Sequence, residues 1–317
     1  MKKKLISGIK PTGKLHIGNY LGAIKKWIDL QDTYECFFFI ADYHALTTEK
    51  NKDFLKNKTK ILLIDLISLG LNPKKSIIFK QSEIIGHTEL SWIFNCLTPV
   101  SELERITQYK NLKIKEKSIN AGLLTYPTLQ AADILLYKGE YIPVGEDQLQ
   151  HLELTRIITR KFNNNYIKYF KEIKPILSPT PKIMSLNNPD KKMSKSLGEA
   201  SYIAIRDNEE AVAKKIRKAV TNEKGIKNLM ELYEYFGNKN KLNKFKKDYQ
   251  KNSLINSELK QELTTSIINF LKPIQKNILY YEKNYNKIEK IIKKGAKQAQ
   301  KIANNNLEEI KNIIGIK

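Results

Sequence analysis

Over the first 200 residues, short apolar runs alternate with longer stretches whose apolar positions recur at helical spacing. Leu5-Ile6-Ser7, Phe37-Phe38-Phe39-Ile40-Ala41 and Ile77-Ile78-Phe79 read as strands. The second run is apolar throughout, the pattern of a strand buried on both faces. Between the runs, residues 18–31 and 53–70 read as helices. In the later one Leu55, Ile61, Leu62, Ile64, Leu66 and Leu69 line up before Gly70, which ends it. This β-α-β-α-β order predicts a Rossmann-like α/β fold with a parallel sheet and helices on both faces. From about Glu199 the strand signals vanish. Residues 209–220, 257–284, 285–303 and 306–314 read as helices, with Pro273 marking a kink or a helix start. Residues 238–253 are polar and lysine-rich and read as a loop or mobile surface. The expected organisation is an α/β domain over 1–198 and an all-helical domain over 199–317. No internal repeat is visible.

Composition narrows the class. A hydrophobic share of 41% in 317 residues suits a globular protein with a sizeable core. No apolar run approaches the roughly 20 residues of a membrane span. The opening Met1-Lys2-Lys3-Lys4-Leu5-Ile6-Ser7-Gly8 is too short in its apolar part for a signal peptide, so a cytoplasmic protein without membrane attachment is expected. Cys36 and Cys96 lack metal-ligand spacing and read as plain buried thiols, and no metal site is expected. The net charge is +23, from 56 basic side chains of which five are arginines. A polyanionic partner would explain that excess. So would a coding bias toward Lys, Asn and Ile, and charge alone does not decide between them.

Two segments carry candidate chemistry. Pro11-Thr12-Gly13-Lys14-Leu15-His16-Ile17-Gly18-Asn19-Tyr20 follows the first strand and opens the first long helix, whose free N–H groups and dipole favour a phosphate. Gly13 and Gly18 let backbone approach a ligand closely. Lys192-Met193-Ser194-Lys195-Ser196-Leu197-Gly198 is a basic loop whose two lysines and two serines can surround a polyphosphate. Taken singly, the first could be an ordinary strand–helix turn and the second a lysine-rich linker.

Together, in this order, they resemble the two signatures of class I aminoacyl-tRNA synthetases. The first signature ends here in Asn19 rather than a histidine, a variant familiar in the tryptophan and tyrosine members. Gly122 through Tyr137, with Thr125-Tyr126-Pro127-Thr128-Leu129-Gln130-Ala131-Ala132-Asp133 at its centre, resembles the amino-acid-binding helix of the tryptophanyl branch. Val144-Gly145-Glu146-Asp147-Gln148, His151 through Arg156, Ser7-Gly8-Ile9, Glu102-Leu103-Glu104-Arg105 and the tail from Gly295-Ala296 to Ile302-Ala303 match it too, so the resemblance spans essentially the whole chain.

The resemblance implies ATP-dependent activation of L-tryptophan and its transfer to the tRNA for tryptophan, with Mg²⁺ assisting and a homodimer as the working unit. It implies catalytic roles for Lys192, Lys195, His16 and Asn19. ATP would be held by Lys10, Thr12, Gly18, Asn19, Gly145, Asp147, Lys192, Met193, Ser194 and Lys195. Tryptophan would be held by Ile6, Gly8, His44, Tyr126, Gln130, Asp133, Ile134, Val144 and Gln148. Trp92 falls in the family's subunit interface by position. His87 and His151 receive no role.

Physical reading of these residues agrees. Indole offers one polar group, a donor. Asp133 lies three residues past Gln130 and seven past Tyr126, so on a helix the three share a face. A surface carboxylate is the plainer alternative for Asp133, but its apolar neighbours Ala131, Ala132, Ile134, Leu135 and Leu136 argue against it. His44 follows the carboxyl end of the second strand, where open α/β sheets bind ligands. Some positions depart from the common pattern: Lys10 stands where Gln is frequent and Gln130 where Met is frequent. Leu112 stands near the place of an ATP-contacting lysine, leaving Lys10, Lys110 or Lys113 to compensate. Two alternatives stay open, a tyrosyl enzyme and a catalytically silent paralogue binding RNA or tryptophan.

Overall fold

The computed structural model describes residues 2–107, 109–110, 119–177 and 183–317, with the side chain of Asp147 also outside the description. Five parallel strands, β1 (Lys4–Ile9), β2 (Glu35–Ile40), β3 (Ser76–Lys80), β4 (Tyr141–Val144) and β5 (Lys174–Leu177), lie in the order β3-β2-β1-β4-β5. Order reverses at β1, between β2 and β4. Such a switch point opens a crevice at the carboxyl edge of a sheet.

The helices are α1 (Ile17–Asn19), α2 (Lys25–Leu30), α3 (Asp42–Ala45), α4 (Lys52–Ser68), α5 (Gly86–Leu97), α6 (Val100–Glu104), α7 (Ala121–Leu135) and α8 (Leu149–Asn165), then α9 (Glu209–Arg217), α10 (Glu223–Phe236), α11 (Lys239–Gln250), α12 (Asn256–Lys283) and α13 (Tyr285–Ile313). A π-helical stretch, Tyr20–Ile24, joins α1 to α2, so the predicted helix over 18–31 runs on with one widened turn. Alternation along the strands feeds two cores. Leu5, Phe38, Ile40 and Ile78 pack with α2 and α4 on one face, where Trp27 stacks on Phe38 at 4.8 Å. Ile6, Phe37, Phe39 and Phe79 pack with α5, α7 and α8 on the other.

That second core also takes Ala299, Ala303, Leu307 and Ile310 of α13. The last helix therefore returns to the sheet. A Cβ at Gly295 would lie 2.0 Å from the carbonyl oxygen of Ile78, so only glycine allows this approach.

Several expectations are corrected. Residues 238–253 are not a loop. Asn238 caps α11 by accepting from the backbone N–H groups of Asn240 and Lys241, and Leu242 and Phe245 bury one narrow side of it. Residues 285–313 form one helix, tied through Asn306 Nδ2 to the Leu136 carbonyl at 2.8 Å, where two helices, 285–303 and 306–314, were expected. Pro273 lies inside α12 and starts nothing. Helices α3, α5, α6, α8 and α10 and strands β4 and β5 went unread; each of the two strands is four residues long and contains a proline, which hides a strand pattern. Cys96 is exposed, not buried. No helix among the described residues is long and apolar enough to cross a membrane.

Candidate active site

The loop after β1 and the basic segment near residue 195 meet, although 183 positions separate them. His16 has extended backbone and precedes Ile17, the first helical residue. Its N–H donates to Asn19 Oδ1 at 3.2 Å. A short antiparallel pairing docks the strand-like residues 203–205 onto this turn: Ile17 N–H donates to the Ile203 carbonyl and Ile205 N–H to the Leu15 carbonyl, both at 3.0 Å. The preceding basic segment is thereby held over the helix start. Met193 is buried above Gly18, where a Cβ would meet His16 Nδ1 at 3.0 Å and the Met193 sulfur at 3.3 Å. Lys195 donates its ammonium to the Thr12 carbonyl and lies where a side chain on Gly13 (φ +79°) would project. Ser194 caps the 3₁₀ turn Lys195–Leu197, and Ser201 Oγ donates to the carbonyls of Ser194 and Gly198 at 2.7 and 2.6 Å.

Electrostatics sort these groups. His16 is 4% exposed, and burial together with the Lys195 and Lys192 charges lowers its pKa to about 4. At neutral pH it is an uncharged imidazole. Burial and the nearby Lys58 charge lower Lys195 as well. Lys192 is exposed at the rim, bridged through its backbone to Met184.

Beside this junction a cavity of about 440 Å³ opens between β1, α3, α7 and the segment after β4. All nine residues expected around the amino acid line it: Ile6, Gly8, His44, Tyr126, Gln130, Asp133, Ile134, Val144 and Gln148. Lys10 and Gly145 line it too. Gly8 keeps the cavity open under Phe39, since a Cβ there would come within 2.5 Å of the ring. Tyr126, Gln130 and Asp133 share one face of α7, as their spacing requires.

Asp133 is 2% exposed and has three side-chain donors. Gln81 Nε2 and His87 Nδ1 each lie 2.6 Å from Oδ1, and His44 Nε2 lies 2.8 Å from Oδ2. Burial pushes the carboxyl up, but the facing His44 and His87 outweigh it and hold Asp133 below the usual carboxylate range. It is ionised and accepts only. His87 presents its other nitrogen to the Tyr137 hydroxyl at 2.8 Å. Above the cavity the Tyr126 hydroxyl meets His151 Nε2 at 2.5 Å, and burial pushes that phenol up. The Lys10 ammonium lies 5.7 Å from the Tyr126 ring centre.

Gln81, His87 and His151 were missed as parts of this site. Gln81 follows β3 as His44 follows β2, so the carboxyl edge of the sheet could have flagged it; nothing local to His87 or His151 points inward. Of the three lysines that could compensate near Leu112, Lys10 lines the cavity and Lys110 is exposed. Leu112 and Lys113 lie outside the described residues, as does the side chain of Asp147.

The family model for class I tRNA synthetases (W and Y) matches residues 2–272. The chain is 42% identical to the tryptophan–tRNA ligase of Clostridium tetani, over 99% of this chain and 96% of that protein. It is 38% identical to the Bacillus subtilis tryptophan–tRNA ligase, over 100% and 98% respectively. Among solved structures it is similar to the Campylobacter jejuni tryptophanyl-tRNA synthetase complexed with ADP and tryptophan, with a TM-score of 0.89 at 31% identity over 98% of this chain and 99% of that one. The Mycoplasma pneumoniae tryptophanyl-tRNA synthetase gives 0.87 at 30%, over 100% and 99%. Likeness of this extent over nearly the full length of both chains settles the kinship: the chain belongs to the tryptophan–tRNA ligase branch of the class I tRNA synthetases.

Proposed function

We propose that this chain activates L-tryptophan with ATP and transfers it to the tRNA for tryptophan. The carboxylate of tryptophan attacks the α-phosphorus, the bond to pyrophosphate breaks, and the 3′-terminal ribose of the tRNA then takes the aminoacyl group as AMP leaves. One observation carries this reading: an ionised, buried Asp133 ends a cavity that opens beside the junction of the two signature segments.

In this reading Asp133 accepts the indole N–H. His44, Gln81 and His87 hold its oxygens in place. Tyr126, Gln130 and Gln148 face the amino-acid head, while Ile6, Gly8, Ile134 and Val144 shape the wall around the rings. No protein nucleophile takes part; positioning and charge stabilisation supply the rate. Lys192 and Lys195 neutralise the departing pyrophosphate. His16, uncharged, and Asn19 offer hydrogen bonds to phosphate from the helix start, with Gly18 allowing close approach. Thr12, Gly145, Met193 and Ser194 frame the nucleotide, and the family resemblance assigns its ribose to Asp147. Lys10, the cavity's own cation, supplies the charge missing near Leu112. Among the described residues no group of three His, Cys, Asp or Glu side chains comes together as a metal site. Mg²⁺ bound with the nucleotide would share with Lys192 and Lys195 in neutralising the departing pyrophosphate.

We assign residues 1–198 to catalysis and the helical region over 199–317, apart from α13 where it packs on the sheet, to the anticodon arm, and place the protein in the cytoplasm as a homodimer. Trp92, 70% exposed, and Ile85 supply an apolar face for the subunit contact. Pyrophosphate exchange with each of the twenty amino acids tests the reading. Exchange with tryptophan alone is the expected result; exchange with none, or equally with tyrosine, overturns it.

A further inference from the structure

A second cavity, of about 730 Å³, lies on the far side of α3 from the amino-acid pocket. Its wall is a row of lysines: Lys50 before α4, then Lys52, Lys56 and Lys60 on it. Positions 52, 56 and 60 stand four residues apart and share a helix face. Tyr285, at the start of α13, closes the groove, with the Lys60 ammonium 4.4 Å from its ring centre. All four lysines are exposed, and none is paired with a carboxylate among the described residues.

This sets the groove apart from the lysine-rich surface of α11. On α11, Lys241, Lys244 and Lys246 reach Glu262, Glu258 and Glu234 at 2.6, 3.0 and 3.2 Å. The four groove lysines have no such partner among the described residues, whereas Lys80, which also lines the groove, pairs with Glu83 at 3.0 Å. Three carboxylates line it, but Asp42 is turned inward, accepting from the N–H groups of Tyr43 and Ser82, and Glu49 accepts from the Asn51 N–H at 2.8 Å. Glu289 is the third. Like charges four residues apart on a helix repel. A stripe of three with a fourth just ahead of it is stabilised by a polyanion laid along it.

Position selects the polyanion. Asp42 and Leu46 of the groove flank His44 of the pocket, so the groove adjoins the site where the aminoacyl group forms. Lys58, on an adjoining face of α4, is near enough to Lys195 for its charge to be felt there. A nucleic-acid strand lying along the groove would therefore end close to the reaction centre.

We propose that the groove of Lys50, Lys52, Lys56, Lys60 and Tyr285 binds the sugar–phosphate backbone of the tRNA next to its 3′ end. This rests on the reading of the chain as a tRNA-charging enzyme. The lysines contact phosphates and carry no sequence information; they hold the strand so that its terminal ribose reaches the adenylate.

The test replaces all four lysines with glutamine, exposed changes that leave both cores untouched. Binding of a tryptophan-tRNA transcript is measured across a salt series, and aminoacylation is measured against tRNA concentration. The slope of log affinity against log salt should flatten by roughly three, and the KM for tRNA should rise ~10-fold or more. Arginine at the same four positions should restore both. Tryptophan-dependent pyrophosphate exchange, which needs no tRNA, should stay at the wild-type rate. An unchanged salt slope and tRNA KM, with exchange intact, overturn the groove and leave the enzymatic reading standing. A raised KM for ATP or tryptophan also overturns it, since the groove would then act on the pocket. Absence of exchange in the unaltered protein removes the reading on which the proposal rests, and the proposal with it.

Discussion

Lys195 donates its ammonium to the backbone carbonyl of Thr12, joining the basic loop to the turn that opens the first helix. The lysine is half-buried and already partly desolvated, so its charge acts strongly on a phosphate placed at that turn. Lys195→Ala should slow adenylate formation ~10²–10³-fold, the size expected for one lost charge-stabilising group. The dissociation constant for tryptophan should hardly move, because the loop lies outside the amino-acid cavity. Single-turnover adenylation at the normal rate would remove Lys195 from the chemistry.

His16 makes a prediction about pH. Its folded pKa of about 4 lies below the ordinary 6.5. Between those values the unfolded chain binds a proton that the folded chain excludes, so stability falls as pH drops from 6.5 toward 4. The full effect is about 3 kcal/mol. Asp65, raised to about 6 mainly by burial, titrates with the opposite sign in part of the same window. The comparison must therefore be between wild type and His16→Gln in denaturant titrations at pH 7 and 5. Wild type should lose more stability than the variant on acidification. Equal losses would mean that His16 is charged in the folded protein.

The first three strands and the two helices between them were legible because their apolar runs are buried in the two cores. Phe37 to Ile40 had no other way to be buried than inside a sheet. The pocket was legible through Tyr126, Gln130 and Asp133, whose spacing alone puts them on one face. What escaped depended on contacts distant in sequence. Gln81 and His87 reach Asp133 across 52 and 46 positions, and no local pattern announces such a bond. The helix over 239–250 escaped because its fully buried side is only Leu242 and Phe245, set among five lysines, two asparagines, an aspartate and a glutamine. The return of α13 to the sheet rests on a small residue, Gly295, which reads equally well as a helix weakness.

Arg206 sits just beyond the docked residues 203–205 and ties three parts of the chain. Its guanidinium lies 2.7 Å from Asp65 on α4, and another of its nitrogens lies 2.5 Å from Glu282 on α12. Asp65 is buried, so removing the arginine leaves a carboxylate without its cation. Arg206→Met should destabilise the fold by roughly 3–5 kcal/mol, as broken buried pairs do. Asp65→Asn in the same chain should recover part of that loss, because a neutral amide no longer needs the cation. Simple addition of the two single effects would show that the pair does not act as a unit.

Asp133 bears the last prediction, that the substrate is tryptophan and that this carboxylate selects it. Both oxygens are already anchored, by Gln81 and His87 on one and His44 on the other. The group cannot turn, and an indole N–H must come to it. Burying that N–H without an acceptor costs roughly 1–3 kcal/mol. Asp133→Ala should therefore lower kcat/KM for tryptophan ~10–100-fold or more, with ATP binding almost unchanged. The variant also strips His44, His87 and Gln81 of their shared acceptor, so a fold-stability measurement must accompany the kinetics. Asp133→Asn, which keeps the shape and loses the charge, separates the two effects: a stable variant with the same kinetic loss assigns the loss to recognition. Tyrosine is not excluded by Asp133, since a phenol can also donate to it. Exclusion has to come from the cavity, where a single ring would leave part of the space between Ile6, Ile134 and Val144 unfilled and forfeit contacts. In direct competition the wild-type enzyme should activate tryptophan far faster than tyrosine. Equal rates would mean that neither the carboxylate nor the cavity reads the indole.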